Sequence, residues 1–168
     1  MTESIETIVV TSRGREIRLR FLVGDLGCVR AMWDELYVHQ KEHGLVADVP
    51  PGAFDEWSRS LASVAGRFGF VVVAAVDDLD VGFCAGRMRP MPPYFGGGYA
   101  GYISDVFVTP ASRGLGLGRI LVDAGVCWFR DRDVQRVELH VVWRNEQALQ
   151  FYRRLGWIED VVQLVKLD

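Results

Sequence analysis

The stretch that most constrains this chain runs from Tyr102 to Arg119, Tyr-Ile-Ser-Asp-Val-Phe-Val-Thr-Pro-Ala-Ser-Arg-Gly-Leu-Gly-Leu-Gly-Arg. β-branched and aromatic residues from Tyr102 to Val108 predict a strand. Pro110 stops it, because proline brings no N–H to a ladder. Glycines then occupy alternate positions, Gly114, Gly116 and Gly118, and an apolar helical pattern follows through Leu117, Ile120, Leu121, Ala124, Cys127 and Trp128. A strand, a glycine loop and a helix N-terminus together form an anion site. Glycines allow close backbone approach, the first amides of the helix lack partners, and the helix dipole favours negative charge there.

Two familiar phosphate loops are excluded by spacing. A P-loop needs Gly-x-x-x-x-Gly-Lys-Ser/Thr, and no Lys-Ser or Lys-Thr pair follows these glycines. A dinucleotide loop needs Gly-x-Gly-x-x-Gly, and counting from Gly114 the sixth position is Arg119. What remains is Arg113-Gly114-Leu115-Gly116-Leu117-Gly118, of the form Arg/Gln-x-x-Gly-x-Gly.

At 168 residues the chain suits one domain, residues 1–168, and with 49% hydrophobic residues it can bury a full core. A net charge of −3 carries no basic excess that would point to nucleic acid. The balance is that of an ordinary cytoplasmic protein. The longest apolar run, Phe68 to Val76, is too short to span a membrane, and the polar Met-Thr-Glu-Ser start is not a signal peptide. Cys28, Cys84 and Cys127 are odd in number and scattered, so they are expected as small core residues. His39 and His43 share a helical face, but without a third ligand they are expected to be exposed rather than metal-binding, and no metal is expected.

Along the chain, Ile5–Thr11 and Glu16–Val23 are expected strands around a Ser12–Arg15 turn. Asp25 is the expected cap of a helix ending near Gly44, and a second helix carries Phe54, Trp57, Leu61 and Val64. Trp33, Tyr37, Phe54 and Trp57 line a pocket or pack the core, with core packing favoured for the two tryptophans. Phe68–Val76 and Val81–Met88 form a hairpin whose tip carries Asp77, Asp78 and Asp80, expected to be solvated. Pro90–Gly101, with three prolines, four glycines and Tyr94, Phe95 and Tyr99, is either a mobile lid or a plain connection. Arg136–Val142 is an expected strand, Asn145 caps a last helix ending at Gly156, and Val161–Leu167 is an expected final strand.

This order of elements, over nearly all of the chain, resembles the GNAT superfamily of N-acyltransferases, and so does the glycine hexapeptide. A second segment, Asn145-Glu146-Gln147-Ala148-Leu149-Gln150-Phe151-Tyr152-Arg153-Arg154-Leu155-Gly156-Trp157, is similar to that family's Asn-x-x-Ala-x-x-x-Tyr-x-x-x-Gly-Phe/Trp signature. The resemblance implies an α+β fold, with a mixed, mostly antiparallel sheet of about six or seven strands flanked by four helices. It implies transfer of an acetyl group from acetyl-coenzyme A to a primary amine, by direct attack in a ternary complex, with coenzyme A as product. A small-molecule acceptor is the first expectation. The alternatives are a protein N-terminus or lysine acceptor, or a non-catalytic acyl-coenzyme A-binding module.

Carried onto this sequence, the resemblance assigns the pyrophosphate to the backbone of Arg113, Gly114, Leu115, Gly116, Leu117, Gly118 and Arg119. It assigns the pantetheine arm to the backbone of Val106, Phe107 and Val108, with a bulge near Val106 or Phe107 that frees an N–H to polarise the thioester. Asn145 contacts the cofactor arm or caps its helix. Asp105 stands where some members carry a carboxylate base, and partial burial would raise its pKa. Tyr152 matches the family's general acid. The segment after Gly156 is short for the hairpin with which many members cover the acceptor, so the loops at His39–Pro51 and Pro90–Gly101, and a second subunit in a homodimer, are the expected walls of that pocket.

Overall fold

The computed structural model describes residues 2–167. Two long strands open the chain, β1 (Thr2–Ser12) and β2 (Arg15–Gly24), then two helices, α1 (Arg30–Glu42) and α2 (Ala53–Ala62). Strands β3 (Gly69–Val76), β4 (Leu79–Pro90) and β5 (Tyr99–Val108) follow, then α3 (Leu117–Arg130), β6 (Val137–Leu139) and α4 (Glu146–Arg154). The six strands make one sheet in chain order, antiparallel except for the β5–β6 pair. It is the α+β architecture that the resemblance implies.

Every residue of β3 is buried, which is why its sequence shows an unbroken apolar run rather than alternation. The sheet has a core on each face. Ile17, Phe70, Ile103, Leu121, Trp128 and Phe129 belong to the core beneath α3, with Phe151 and Tyr152 of α4 against it. Leu22, Trp33, Leu36, Phe54, Leu61 and Phe107 belong to the core beneath α1 and α2. The β3–β4 turn places Asp77 and Asp78 at φ 51° and 63°, the conformation that matches strand twist in a two-residue hairpin. The tip is solvated but not idle. Arg15, Arg18 and Arg20 of β2 reach Asp77, Asp78 and Asp80 at 2.9, 2.7 and 2.6 Å.

Several expectations need correction. Asp25 does not cap α1. Its carboxylate accepts from Gly27 N–H at 2.8 Å and starts the single 3₁₀ turn that leads into the helix. Cys84 is buried, but Cys28 and Cys127 are exposed. The strand expected over Arg136–Val142 spans only Val137–Leu139. No strand forms over Val161–Leu167, which is exposed. Apolar content predicts a strand only where a neighbouring strand offers hydrogen bonds, and none stands beside this segment among the described residues. No helix among those described is long and apolar enough to cross a membrane.

Candidate active site

The site begins with a register fault. β4 and β5 pair as Ala85↔Asp105 and then Gly86↔Ile103, so Ser104 is an extra residue on β5. The expected bulge exists, but at Ser104 rather than Val106 or Phe107. It sits beside Gly86, where a Cβ would stand 2.8 Å from Tyr102 O and from the Phe70 ring. The extra residue breaks the two-residue alternation. Ile103 faces the core beneath α3, whereas Asp105 and Phe107 face α1 and α2.

Beyond the fault, one edge of β5 is unpaired among the described residues. β6 pairs with β5 only over Gly101–Ile103. From Ser104 to Val108, β5 has no strand on that side among the described residues. Thr109 N–H donates to Val81 C=O across the β4 side at 2.8 Å. By alternation Phe107 and Asp105 aim their amides at β4 too, and the amides of Val106 and Val108 face the open edge. The freed donor expected at Val106 or Phe107 is therefore that of Val106.

The glycine loop lies at the end of this edge. Gly114 and Gly116 have φ of 85° and 80°, where a side chain would be strained. Gly118 is helical; it is small because a Cβ there would meet the Phe151 ring at 3.3 Å. The Ser12 hydroxyl donates to Leu115 C=O at 2.9 Å and ties the loop to the end of β1. The first helical bond runs from Ile120 N–H to Gly116 C=O. The amides of residues 114–119 therefore precede any partner within the helix. Arg113 departs from the expectation. Its amide is spent on Pro110 C=O at 3.3 Å, and its side chain reaches Val108 C=O at 3.4 Å.

Asp105 is 2% exposed, more deeply buried than expected, and no arginine or lysine pairs with it among the described residues. Three donors meet its carboxylate: Tyr37 hydroxyl at 3.2 Å, Trp57 indole N–H at 2.9 Å and Ser104 hydroxyl at 2.6 Å. Burial pushes its pKa up, and the hydrogen bonds counter that only in part. Trp57 thus does more than pack. The sequence signals that donors are needed, since a carboxylate in an apolar strand requires them, but that Tyr37 and Trp57 supply them follows from how α1 and α2 pack on β5. Beside them, the indole N–H of Trp33 is buried with no partner among the described residues.

Tyr152 is half-buried on α4, against Phe151 and Trp157 with ring centroids 5.0 and 5.8 Å away. Burial, reinforced by the neighbouring Cys84 thiol, holds its hydroxyl well above the usual range and so un-ionised. Asn145 accepts from Ala148 N–H at 3.0 Å and caps α4. At the other wall, His39 and His43 are half-buried at the end of α1 rather than exposed. A Cβ on Gly44 would stand 3.1 Å from Trp143 Nε1, so the end of α1 packs against the segment between β6 and α4. Tyr94 and Phe95 are 81% and 70% exposed at the opposite end of β5 from the glycine loop.

Residues 29–157 match the family model described as acetyltransferase (GNAT) family. The chain belongs to that family. The GNAT resemblance drawn from the glycine hexapeptide and the Asn145–Trp157 segment holds. A mycothiol acetyltransferase from Saccharomonospora viridis is 36% identical over 90 residues, which are 53% of this chain and 29% of that protein. The chain spans less than a third of the length of the curated relatives it matches. An aminoglycoside N-acetyltransferase in complex with CoA superposes with a TM-score of 0.70 at 15% identity, covering 95% of this chain and 99% of that one. A predicted acetyltransferase of Clostridium acetobutylicum with acetyl-CoA gives 0.69 at 17% identity, covering 90% and 96%. At such identities these likenesses concern the fold.

Proposed function

We propose that this GNAT protein is one catalytic domain that transfers an acetyl group from acetyl-coenzyme A to the primary amine of a small molecule, by direct attack in a ternary complex. The single observation that carries this reading is the continuity of two donor sets. The unpartnered amides of residues 114–119 stand at the end of a strand edge that offers Val106 and Val108 N–H. A pyrophosphate fits the first set, since glycine backbone approaches closely and the helix dipole favours an anion. An extended amide-bearing arm fits the second as an added strand would. When bound, acetyl-coenzyme A supplies a thioester whose carbonyl carbon accepts the amine.

The chain's own residues account for the rest. Val106 N–H polarises the thioester carbonyl. An ammonium acceptor must lose a proton before it attacks, and Asp105, its pKa raised by burial, is the base. Because Asp105 is buried, the proton reaches it through a half-buried hydroxyl, that of Ser104 at 2.6 Å or of Tyr37 at 3.2 Å. The amine then forms the C–N bond and the C–S bond breaks; the departing sulfur takes a proton from Tyr152, which burial keeps protonated, and the surplus proton on the new amide nitrogen returns to the Tyr152 oxygen. The acetyltransferase names of the mycothiol and aminoglycoside relatives support a small-molecule acceptor.

The test is release of free thiol from acetyl-coenzyme A over a panel of small amines, with aminoglycosides and a lysine peptide as separate arms. Turnover is expected with a small amine. Asp105→Asn and Tyr152→Phe should each lower it by about a hundredfold, and the Asp105 variant alone should recover partly at high pH, where the amine is already neutral. Turnover confined to the peptide arm would replace the acceptor class. Wild-type rates in both variants would remove these two residues from the chemistry.

A further inference from the structure

His39, Glu42 and His43 occupy one turn at the C-terminal end of α1, and their ligand-capable atoms all lie within 4.8 Å of one another. The geometry points to a divalent transition-metal site here, of the zinc class, with these three side chains as ligands and an open position for water. None of its three residues enters the chemistry proposed above, and His39 begins the loop expected as a wall of the acceptor pocket.

Three observations carry the assignment. First, the spacing is that of a helix-borne chelate. Residues i and i+4 lie one above the other on a helix face, which is how two histidines of one helix bind zinc, and the i+3 residue stands between them. The two imidazole ring centroids are 4.1 Å apart. Ligands about 2.0–2.2 Å from zinc in a tetrahedral site are roughly 3.4 Å from each other. Small rotamer adjustments of three half-buried or exposed side chains therefore close the site, and no backbone needs to move.

Second, one ligand is already oriented. His43 Nδ1 lies 2.8 Å from His39 C=O. A carbonyl only accepts, so Nδ1 carries the hydrogen, and in the neutral ring the lone pair is on Nε2, directed away from the helix backbone. This backbone bond on the far nitrogen is the support that metal-ligating histidines have in folded proteins.

Third, the helix end favours a cation, against the positive charges of Arg113, whose field reaches His39, and of Arg144 beside Gly44. The carbonyls of the last turn and the negative end of the helix dipole lie beneath the site. The ammonium on the same turn, Lys41, is turned aside, bonded to Ala47 C=O at 3.1 Å and Asp48 at 3.2 Å. Two imidazoles and one carboxylate suit zinc, nickel or cobalt far better than magnesium or calcium, which prefer all-oxygen sites.

The experiment is calorimetric titration of the full chain with zinc chloride in a non-chelating buffer, repeated with cobalt chloride while the visible spectrum is recorded. One ion per chain is expected, with cobalt giving the d–d bands of a nitrogen- and oxygen-ligated ion. His39→Gln, Glu42→Gln and His43→Gln should each weaken zinc roughly ten- to a hundredfold, and the double variant His39→Gln/His43→Gln should lose the cobalt bands while its thermal melt in chelator matches wild type. Zinc bound equally well by a folded double variant would place the ion elsewhere, at Cys28, Cys127 or His140, and overturn the assignment. So would the absence of any zinc uptake by the wild-type chain at micromolar concentrations.

Discussion

Asp105 shows how a single residue sets terms for its surroundings. A carboxylate in an apolar strand loses its hydration, and no arginine or lysine forms an ion pair with it among the described residues. Hydrogen bonds to a charged group are worth roughly 1.5–3 kcal/mol each, and three donors converge on it. Burial nonetheless wins, so the folded pKa lies above the ordinary 3.8. The consequence for stability has a definite sign. Below pH 3.8 the group is protonated in both states and costs nothing. As the pH rises past 3.8 the unfolded chain ionises first, and stability falls until the folded carboxyl ionises too, by at most about 1.4 kcal/mol per pH unit. Asp105→Asn carries no such titration. Urea midpoints from pH 4 upward should therefore show the wild type losing stability relative to the Asn variant, with the difference levelling off above the folded pKa. A flat difference would mean that the three donors offset burial, and one of opposite sign that they outweigh it.

At the scale of the elements, the glycine loop was legible and its exact division of labour was not. Alternate glycines before an apolar helical repeat announce a strand, a turn and a helix start. The sequence does not reveal that Gly114 and Gly116 are there for backbone angle while Gly118 makes room for Phe151. The strand holding Asp105 was equally plain, but the bulge was not. Its position depends on which residues lie opposite, and Gly86 accepts the close approach only after β4 and β5 have paired. The donors above Asp105 come from helices 48 and 68 residues away along the chain, so no local pattern displays them. Gly116 is left-handed, which Asn and Asp tolerate better than other residues. Gly116→Asn should keep coenzyme A binding within a few-fold of wild type, whereas Gly116→Asp should weaken it by at least about tenfold further, since only the charge differs. Equal affinities by calorimetry would exclude an anion at this helix start. Gly101→Ala places a Cβ 2.6 Å from the Phe129 ring. It should destabilise the fold by about 1–3 kcal/mol in urea titration, the usual cost of overpacking, and an unchanged midpoint would show that Phe129 is free to move.

For the molecule as a whole, the sheet and its two cores leave one segment unaccounted for. Ile158, Val161, Val162, Leu164, Val165 and Leu167 are each at least 59% exposed within ten residues, a density of apolar surface that isolated soluble chains rarely show to water. Apart from the β5 edge assigned to the cofactor arm, the sheet has a matching vacancy: β1 is an outer strand with Ile5 and Val9 more than half exposed. Apolar strand-like sequence and unpaired sheet edges are complementary features, and an uncovered edge is a template for another chain. Within one molecule Arg136 and Arg153 pair with Asp160 and Glu159, which holds the start of the segment near α4, and among the described residues no hydrogen bond or ion pair reaches residues 161–167. The expected outcome is concentration-dependent self-association across the micromolar range in sedimentation velocity. A chain ending after Trp157 should remain monomeric there and keep the circular dichroism and melting profile of the rest of the fold, because residues 158–167 contribute nothing to either core. If the full chain sediments as a monomer throughout that range, these apolar residues are not an interface between copies. If the shortened chain still associates, the contact lies on another surface, and the β1 edge is the next to test.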